Sequence, residues 1–181
     1  MTVEKGNGGQ RTVKYLAFSV ENSSFAIEVS KMLGIIQTDK ITPIPRTEPS
    51  LLGLTKLRGE ICAVIDLRTR ILGRPPRHTQ QALAISIEHE NQRVCAVIDQ
   101  ALFVMEVEDK DIQPLTPSVS GRERFASSYT LVDGRYIQLL SVEKLFAGKG
   151  PLFSSDRPKL DREFTNSINV HRKIRSRSCL D

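Results

Sequence analysis

The pentapeptide Cys-Ala-Val-Ile-Asp occurs twice, at residues 62–66 and 95–99, each time as the close of an apolar run. Four apolar residues bounded by polar ones suit a buried strand, and the motif predicts two similar β-substructures. Each Asp follows its run and reads as the polar residue that ends a strand, which points away from catalysis.

The rest of the chain carries the same signal. From Val13, alternation places Val13, Tyr15, Ala17 and Ser19 on one face and Leu16, Phe18 and Val20 on the other. Phe25, Ile27 and Val29 follow a turn at Glu21-Asn22-Ser23-Ser24, so a β-hairpin is predicted. Residues 30–36 read as one or two helical turns or as continued strand. Pro43, Pro45 and Pro49 enforce an extended connection, and Ser50-Leu51-Leu52-Gly53 reads as a brief helix closed by glycine. Strands are expected over residues 60–67, 82–87, 94–99, 103–107, 125–132 and 136–142, the last two joined by Asp133-Gly134. Many short strands with scarcely any long amphipathic helix define an all-β barrel or sandwich, and the repeated strand favours two small barrels. Residues 1–12, with Gly6, Gly8 and Gly9, read as a disordered lead, and 13–147 as the folded domain. Residues 148–181 read as a basic, mostly disordered tail with a nascent helix near 159–168.

The formal charge of +5 invites a nucleic-acid reading until its location is counted. Residues 1–14 carry +2 and residues 148–181 carry +4, which leaves the body at −1. A near-neutral body is not a polyanion-binding surface. The runner-up class, a β-barrel that binds single strands, wants a basic groove with stacking aromatics, whereas Tyr15, Phe18 and Phe25 fall at packing positions. Cys62, Cys95 and Cys179 lack paired spacing, and His78, His89 and His171 are far apart, so no metal site or cofactor is suggested. Buried free cysteines fit a reducing compartment. No signal pattern opens the sequence and no apolar stretch approaches the roughly 20 residues that cross a bilayer. A cytoplasmic location is expected.

Candidate chemistry is thin. Asp66 and Asp99 form a conceivable carboxylate pair, but no Thr-Gly follows either, and the structural reading is preferred. His78 and His89 read as surface histidines, and no phosphate-cradling loop is present, so an enzyme is not expected. Arg68, Arg70, Arg74 and Arg77 either grip an acidic partner or line a solvated loop. Arg58, between Leu57 and Gly59, is held so that it either faces a partner or makes a local salt bridge, for instance to Glu60.

The run from Gly53 through Leu57-Arg58-Gly59 to Val64-Ile65-Asp66-Leu67-Arg68 resembles the Gly-x-x-Asn-Leu-Arg-Gly turn and Pro-Val-Ile-Asp-Leu-Arg strand of the CheW chemotaxis coupling proteins. The resemblance extends from Tyr15 to Phe146, through Phe25-Ala26-Ile27-Glu28-Val29, Ile41-Thr42-Pro43-Ile44-Pro45, Asp133-Gly134-Arg135 and Glu143-Lys144-Leu145-Phe146. It implies two five-stranded β-barrels sharing a core, with one or two short helices. It also implies a non-enzymatic adaptor between the cytoplasmic tip of methyl-accepting receptors and the regulatory domain of a CheA-type histidine kinase, reaching the membrane only through those receptors. By motif position, Arg58 with Gly53 and Gly59, joined by Met32 and Val104, would face the receptor, and Val29 with Gly34 the kinase. Lys56, Ala63, Cys95, Gln100 and Ser141 depart from the family pattern, and Gly34 stands where an acid is common. These departures suggest a diverged paralogue serving a separate chemosensory pathway, such as surface or pilus-driven motility.

Overall fold

The computed structural model describes residues 11–44, 48–76, 81–90, 92–115 and 124–147. Most of the lead, the tail with its expected helix, Arg77, His78 and Cys179 lie outside the described residues.

The first hairpin forms as patterned, with β1 (Thr12–Val20) and β2 (Ser23–Glu28) antiparallel and Phe18 opposite Phe25. Its turn is Glu21-Asn22 alone, since Ser23 and Ser24 pair with Val20 and Ser19. Both faces of β1 are apolar because both are covered. Ala17 packs with Ala26, Met105, Val107, Ile137 and Leu139, while the buried rings of Phe18 and Phe25 lie 6.1 Å apart on the other side of the pleat. Fully burying a ring of that size contributes about 1.5–3 kcal/mol.

Both alternatives for residues 30–36 are used in succession: a 3-10 turn at Val29–Lys31, then β3 (Met32–Gln37). The brief helix expected at 50–53 is instead strand, β4 (Leu51–Leu57). Gly53 does not cap a helix. It lets another backbone pass, because a Cβ there would sit 2.1 Å from the Thr42 carbonyl oxygen and 2.9 Å from the Pro43 Cα. Thr42 and Leu54 exchange backbone hydrogen bonds of 2.8 and 2.9 Å across this contact. β5 (Glu60–Asp66) runs straight into α1 (Leu67–Leu72), which alternation did not signal. The Asp66 carboxylate caps that helix by accepting the Arg68 N–H at 2.8 Å. Then come β6 (Leu83–His89), β7 (Gln92–Val97), β8 (Gln100–Glu108), a 3-10 turn (Asp109–Asp111), β9 (Gln113–Pro114), β10 (Ala126–Val132), β11 (Arg135–Leu140) and α2 (Val142–Phe146).

Two sheets result, in the orders β8-β1-β2-β11-β10-β9 and β3-β6-β7-β5-β4. The all-β, two-lobed expectation holds, with two differences. The two-residue β9 adds a sixth strand to one sheet, and neither sheet closes by a continuous ladder. The five-stranded sheet returns on itself only at the Thr42–Leu54 bridge.

The repeated pentapeptide does not mark one copy per lobe. β5 and β7 are parallel neighbours in the same sheet, with Val64 opposite Cys95 and Asp66 opposite Val97. An interior parallel strand is buried on both faces and so reads as an unbroken apolar run, which both copies satisfy side by side.

Candidate functional site

β4 and β5 are joined by Arg58 and Gly59, with φ of +50° and +92°. A two-residue hairpin loop with both φ positive matches the twist of its strands and is unstrained with Asn-Gly. An arginine in the left-handed region costs about 1 kcal/mol. The local salt bridge to Glu60 is not made, because Glu60 pairs with Arg93 on β7 at 2.8 Å. Arg58 is exposed and has no hydrogen bond or ion pair among the described residues. A strained, solvent-facing and unpartnered guanidinium is the most distinctive feature of this surface.

The other sequence-predicted residues fall in different places. Gly59 shares the exposed tip, but Gly53 is buried against Thr42 and Pro43, so it supports the turn from beneath. Val29 is half-buried in the 3-10 turn, and half-buried Met32 and Gly34 follow on β3. β3 and β4 end the same ladder at opposite sides, while Val104, 59% exposed, lies on β8 of the other sheet. Sequence reasoning missed the apolar neighbours of these positions. Leu33 and Ile35 are 51% and 43% exposed on β3, and Phe103 stands beside Val104. Reading 32–37 firmly as strand would have found the first two, since its burial alternates residue by residue. A separate patch on the β10–β11 hairpin stacks Tyr129 on Tyr136 at 4.2 Å beside exposed Leu131.

The arginine cluster after β5 is mostly consumed internally. Arg68 bonds Glu21 through Nε at 2.5 Å and the Pro75 carbonyl through Nη1 at 2.9 Å. Arg70 donates through Nη1 to both Glu48 oxygens at 2.9 Å and through Nε to the Leu145 carbonyl at 2.9 Å, with its guanidinium 5.8 Å from the Phe125 ring centroid. Through Glu21 and Leu145 these contacts tie α1, which leaves the five-stranded sheet, to the β1–β2 turn of the other sheet and to α2, which follows β11 of that sheet. Of the three described arginines of this cluster, Arg74 alone has no hydrogen bond or ion pair among the described residues; it faces a cleft of about 470 Å³ that Glu21, Asn22, Arg68 and Asp99 also line.

The remaining polar candidates also serve the fold. Asp66 and Asp99 border one small cavity, but Asp66 caps α1 and Asp99 accepts the Glu21 N–H at 2.6 Å. His89 is not a surface histidine: its ring lies 5.8 Å from that of Phe146 and is only 19% exposed. Cys62 and Cys95 are fully buried in one apolar cluster, where contact with the Cys62 thiol, and after it burial, pushes Cys95 up. At α2, Glu143 is held down at about 2 by its own backbone N–H, by the Ser141 hydroxyl and by Lys31. Among the described residues no group of three His, Cys, Asp or Glu is arranged to hold a metal. No helix among them is long and apolar enough to cross a membrane.

Two β-sheets linked by partly buried arginines, with exposed apolar side chains and an unpaired arginine on a tight turn, make up a two-lobed β scaffold. The chain belongs to the CheW family, since the family model described as the CheW-like domain matches residues 14–149. It is 27% identical over 141 residues to the chemotaxis protein CheW of Rhizobium meliloti (strain 1021), covering 77% of this chain and 89% of that one. It is 25% identical over 149 residues to the chemotaxis protein CheW of Klebsiella aerogenes, covering 82% and 90%. The crystal structure of the scaffolding protein TtCheW from Thermoanaerobacter tengcongensis superposes with a TM-score of 0.68 at 24% identity, covering 77% of this chain and 95% of that one. Sequence and fold thus agree in placing the chain in the CheW family.

Proposed function

We propose that this protein is a non-enzymatic, cytoplasmic adaptor whose folded domain, residues 13–147, couples the cytoplasmic tip of methyl-accepting receptors to the regulatory domain of a CheA-type histidine kinase. Arg58 carries the reading. It occupies the arginine position of the family turn, bears a backbone cost that Asn would not, and spends its guanidinium on nothing within the fold. Gly59 shapes that turn, buried Gly53 supports it, and Met32 and Val104 supply apolar contact on the receptor side. Val29 and Gly34 are assigned to the kinase side. Neither cofactor nor nucleic acid is part of the reading, and the membrane is reached only through the receptors.

One observation favours a separate chemosensory pathway. β3 is wholly uncharged, with Gly34 where the family commonly has an acid and with Leu33 and Ile35 exposed, so its partner should present an apolar surface there.

Co-sedimentation of the purified protein with receptor-tip fragments and a kinase regulatory domain tests the proposal. Wild type should bind both, and Arg58→Glu should lose the receptor while keeping the kinase. Failure of wild type to bind either would end the adaptor reading, and equal loss of both partners would end the assignment of Arg58 to the receptor face.

A further inference from the structure

Two open sheets have four edges, and three of these are guarded against pairing with another chain. β8 carries Glu106 and Glu108, β9 is two residues long and ends in Pro114, and β4 is met by Thr42 with Pro43 following. β3 has neither charge nor proline. Over residues 33–37 it makes no backbone hydrogen bond other than its ladder to β6 among the described residues. An edge of this kind is a template for an added strand.

The row of side chains on its outer face says which strand. Lys31 at the end of the 3-10 turn, Leu33, Ile35 and Gln37 on β3, and Asp39 just past the strand are all exposed, at alternate positions. Turned end for end about Ile35, this row sets Lys31 against Asp39, Leu33 against Gln37 and Ile35 against itself. A row that begins with a cation, ends with an anion and is uncharged between them is complementary to its own antiparallel copy, as a two-fold contact requires. Asp39 has no hydrogen bond or ion pair among the described residues. Lys31, which reaches Glu143 at 3.1 Å, remains about half exposed.

We infer that β3 pairs with β3 of a second copy of this chain, antiparallel about a two-fold axis at Ile35, which joins two five-stranded sheets into one. The pairing covers Gly34, so a self-paired chain cannot present that residue to another protein. Self-association thereby withholds β3 from partners. The inference stands apart from the adaptor reading, because it needs only this chain.

Sedimentation velocity on the full chain across a dilution series tests it. Wild type should pass between monomer and dimer with concentration. Ile35→Lys, which brings two ammonium groups together at the axis, should be monomeric throughout while keeping the wild-type far-ultraviolet circular dichroism. Asp39→Lys should weaken the dimer roughly tenfold, and adding Lys31→Glu should recover most of that loss. A wild type that stays monomeric, a folded Ile35→Lys that still dimerises, or a double charge reversal no better than Asp39→Lys alone would each overturn the proposal. None of these outcomes bears on receptor or kinase binding by the monomer.

Discussion

Replacing Arg58 with asparagine separates what its backbone costs from what its side chain does. Arg58 sits at φ +50° in a two-residue loop whose second residue is Gly59. An ordinary residue in the left-handed region costs about 1 kcal/mol, and Asn-Gly is the pair such a loop prefers. The arginine side chain gives up no packed contact, being exposed and without a hydrogen bond or ion pair among the described residues. Arg58→Asn should therefore stabilise the fold by about 0.5–1 kcal/mol, which raises the melting temperature by roughly 2–4 °C for a domain of this size. Arg58→Ala, which keeps the strain and removes the guanidinium, should be close to neutral. Thermal and urea unfolding of the three proteins reads this difference, and co-sedimentation with receptor-tip fragments reads the other half. If Arg58 is an anchor of the receptor contact, both variants should lose about tenfold or more in affinity despite their intact folds. A less stable Arg58→Asn would refute the account of the turn, and an undiminished affinity in either variant would refute the role given to the side chain.

Gly53→Ala should destabilise by about 3 kcal/mol in urea unfolding, because its Cβ would meet the Thr42 carbonyl at 2.1 Å and only a backbone shift relieves that. A midpoint near wild type would mean the Thr42 segment moves freely. Arg70→Met should cost about 2–3 kcal/mol, since it leaves Glu48 and the Leu145 carbonyl without their donor in a site where the arginine side chain is only 10% exposed. Glu143→Gln removes a carboxylate whose folded value, about 2, lies below its usual 4.5, so its contribution is complete above about pH 4.5 and fades as pH falls toward 2. Wild type and this variant should thus differ at neutral pH and converge in acid, by less than about 1 kcal/mol because the side chain is 62% exposed. A gap that widens in acid would reverse the sign.

Legibility in the sequence followed burial. β1, β2, β6, β7, β10 and β11 were readable because their apolar residues either alternate or run unbroken between polar stops. β4 was misread as helix because Leu51-Leu52-Gly53 mimics a capped turn, whereas Gly53 answers to a backbone 11 residues earlier, Thr42, which no local pattern reveals. α1 was hidden because Asp66 looks the same ending a strand as capping a helix, and here it does both. The repeat was correctly seen as strand but wrongly spread over two lobes, since a motif reports an environment and two neighbouring strands can share one. At the candidate site, Arg58 was legible as a residue of interest, while its freedom was not. That freedom depends on Arg93, 35 positions away, claiming Glu60.

The arginines then sort by what they have left to offer. Arg68, Arg70 and Arg93 are committed to Glu21, Glu48 and Glu60; the Arg68–Glu21 pair crosses from one sheet to the other, and Arg70 reaches beyond its own sheet through the Leu145 carbonyl. Such crossings hold the two lobes in one geometry. An adaptor that passes receptor conformation to a kinase needs that rigidity, because a hinge between its two contact patches would absorb the displacement it must transmit. Away from Arg58, on β3 and β8, the exposed Leu33, Ile35, Phe103 and Val104 carry no charge. On the adaptor reading, affinity then comes from burying these side chains, while one cation fixes orientation. Binding of that kind weakens only gently with salt, in contrast to a surface built on many ion pairs. The internal staples and the free guanidinium of Arg58 thus divide the work, one set fixing the body and the other addressing the partner.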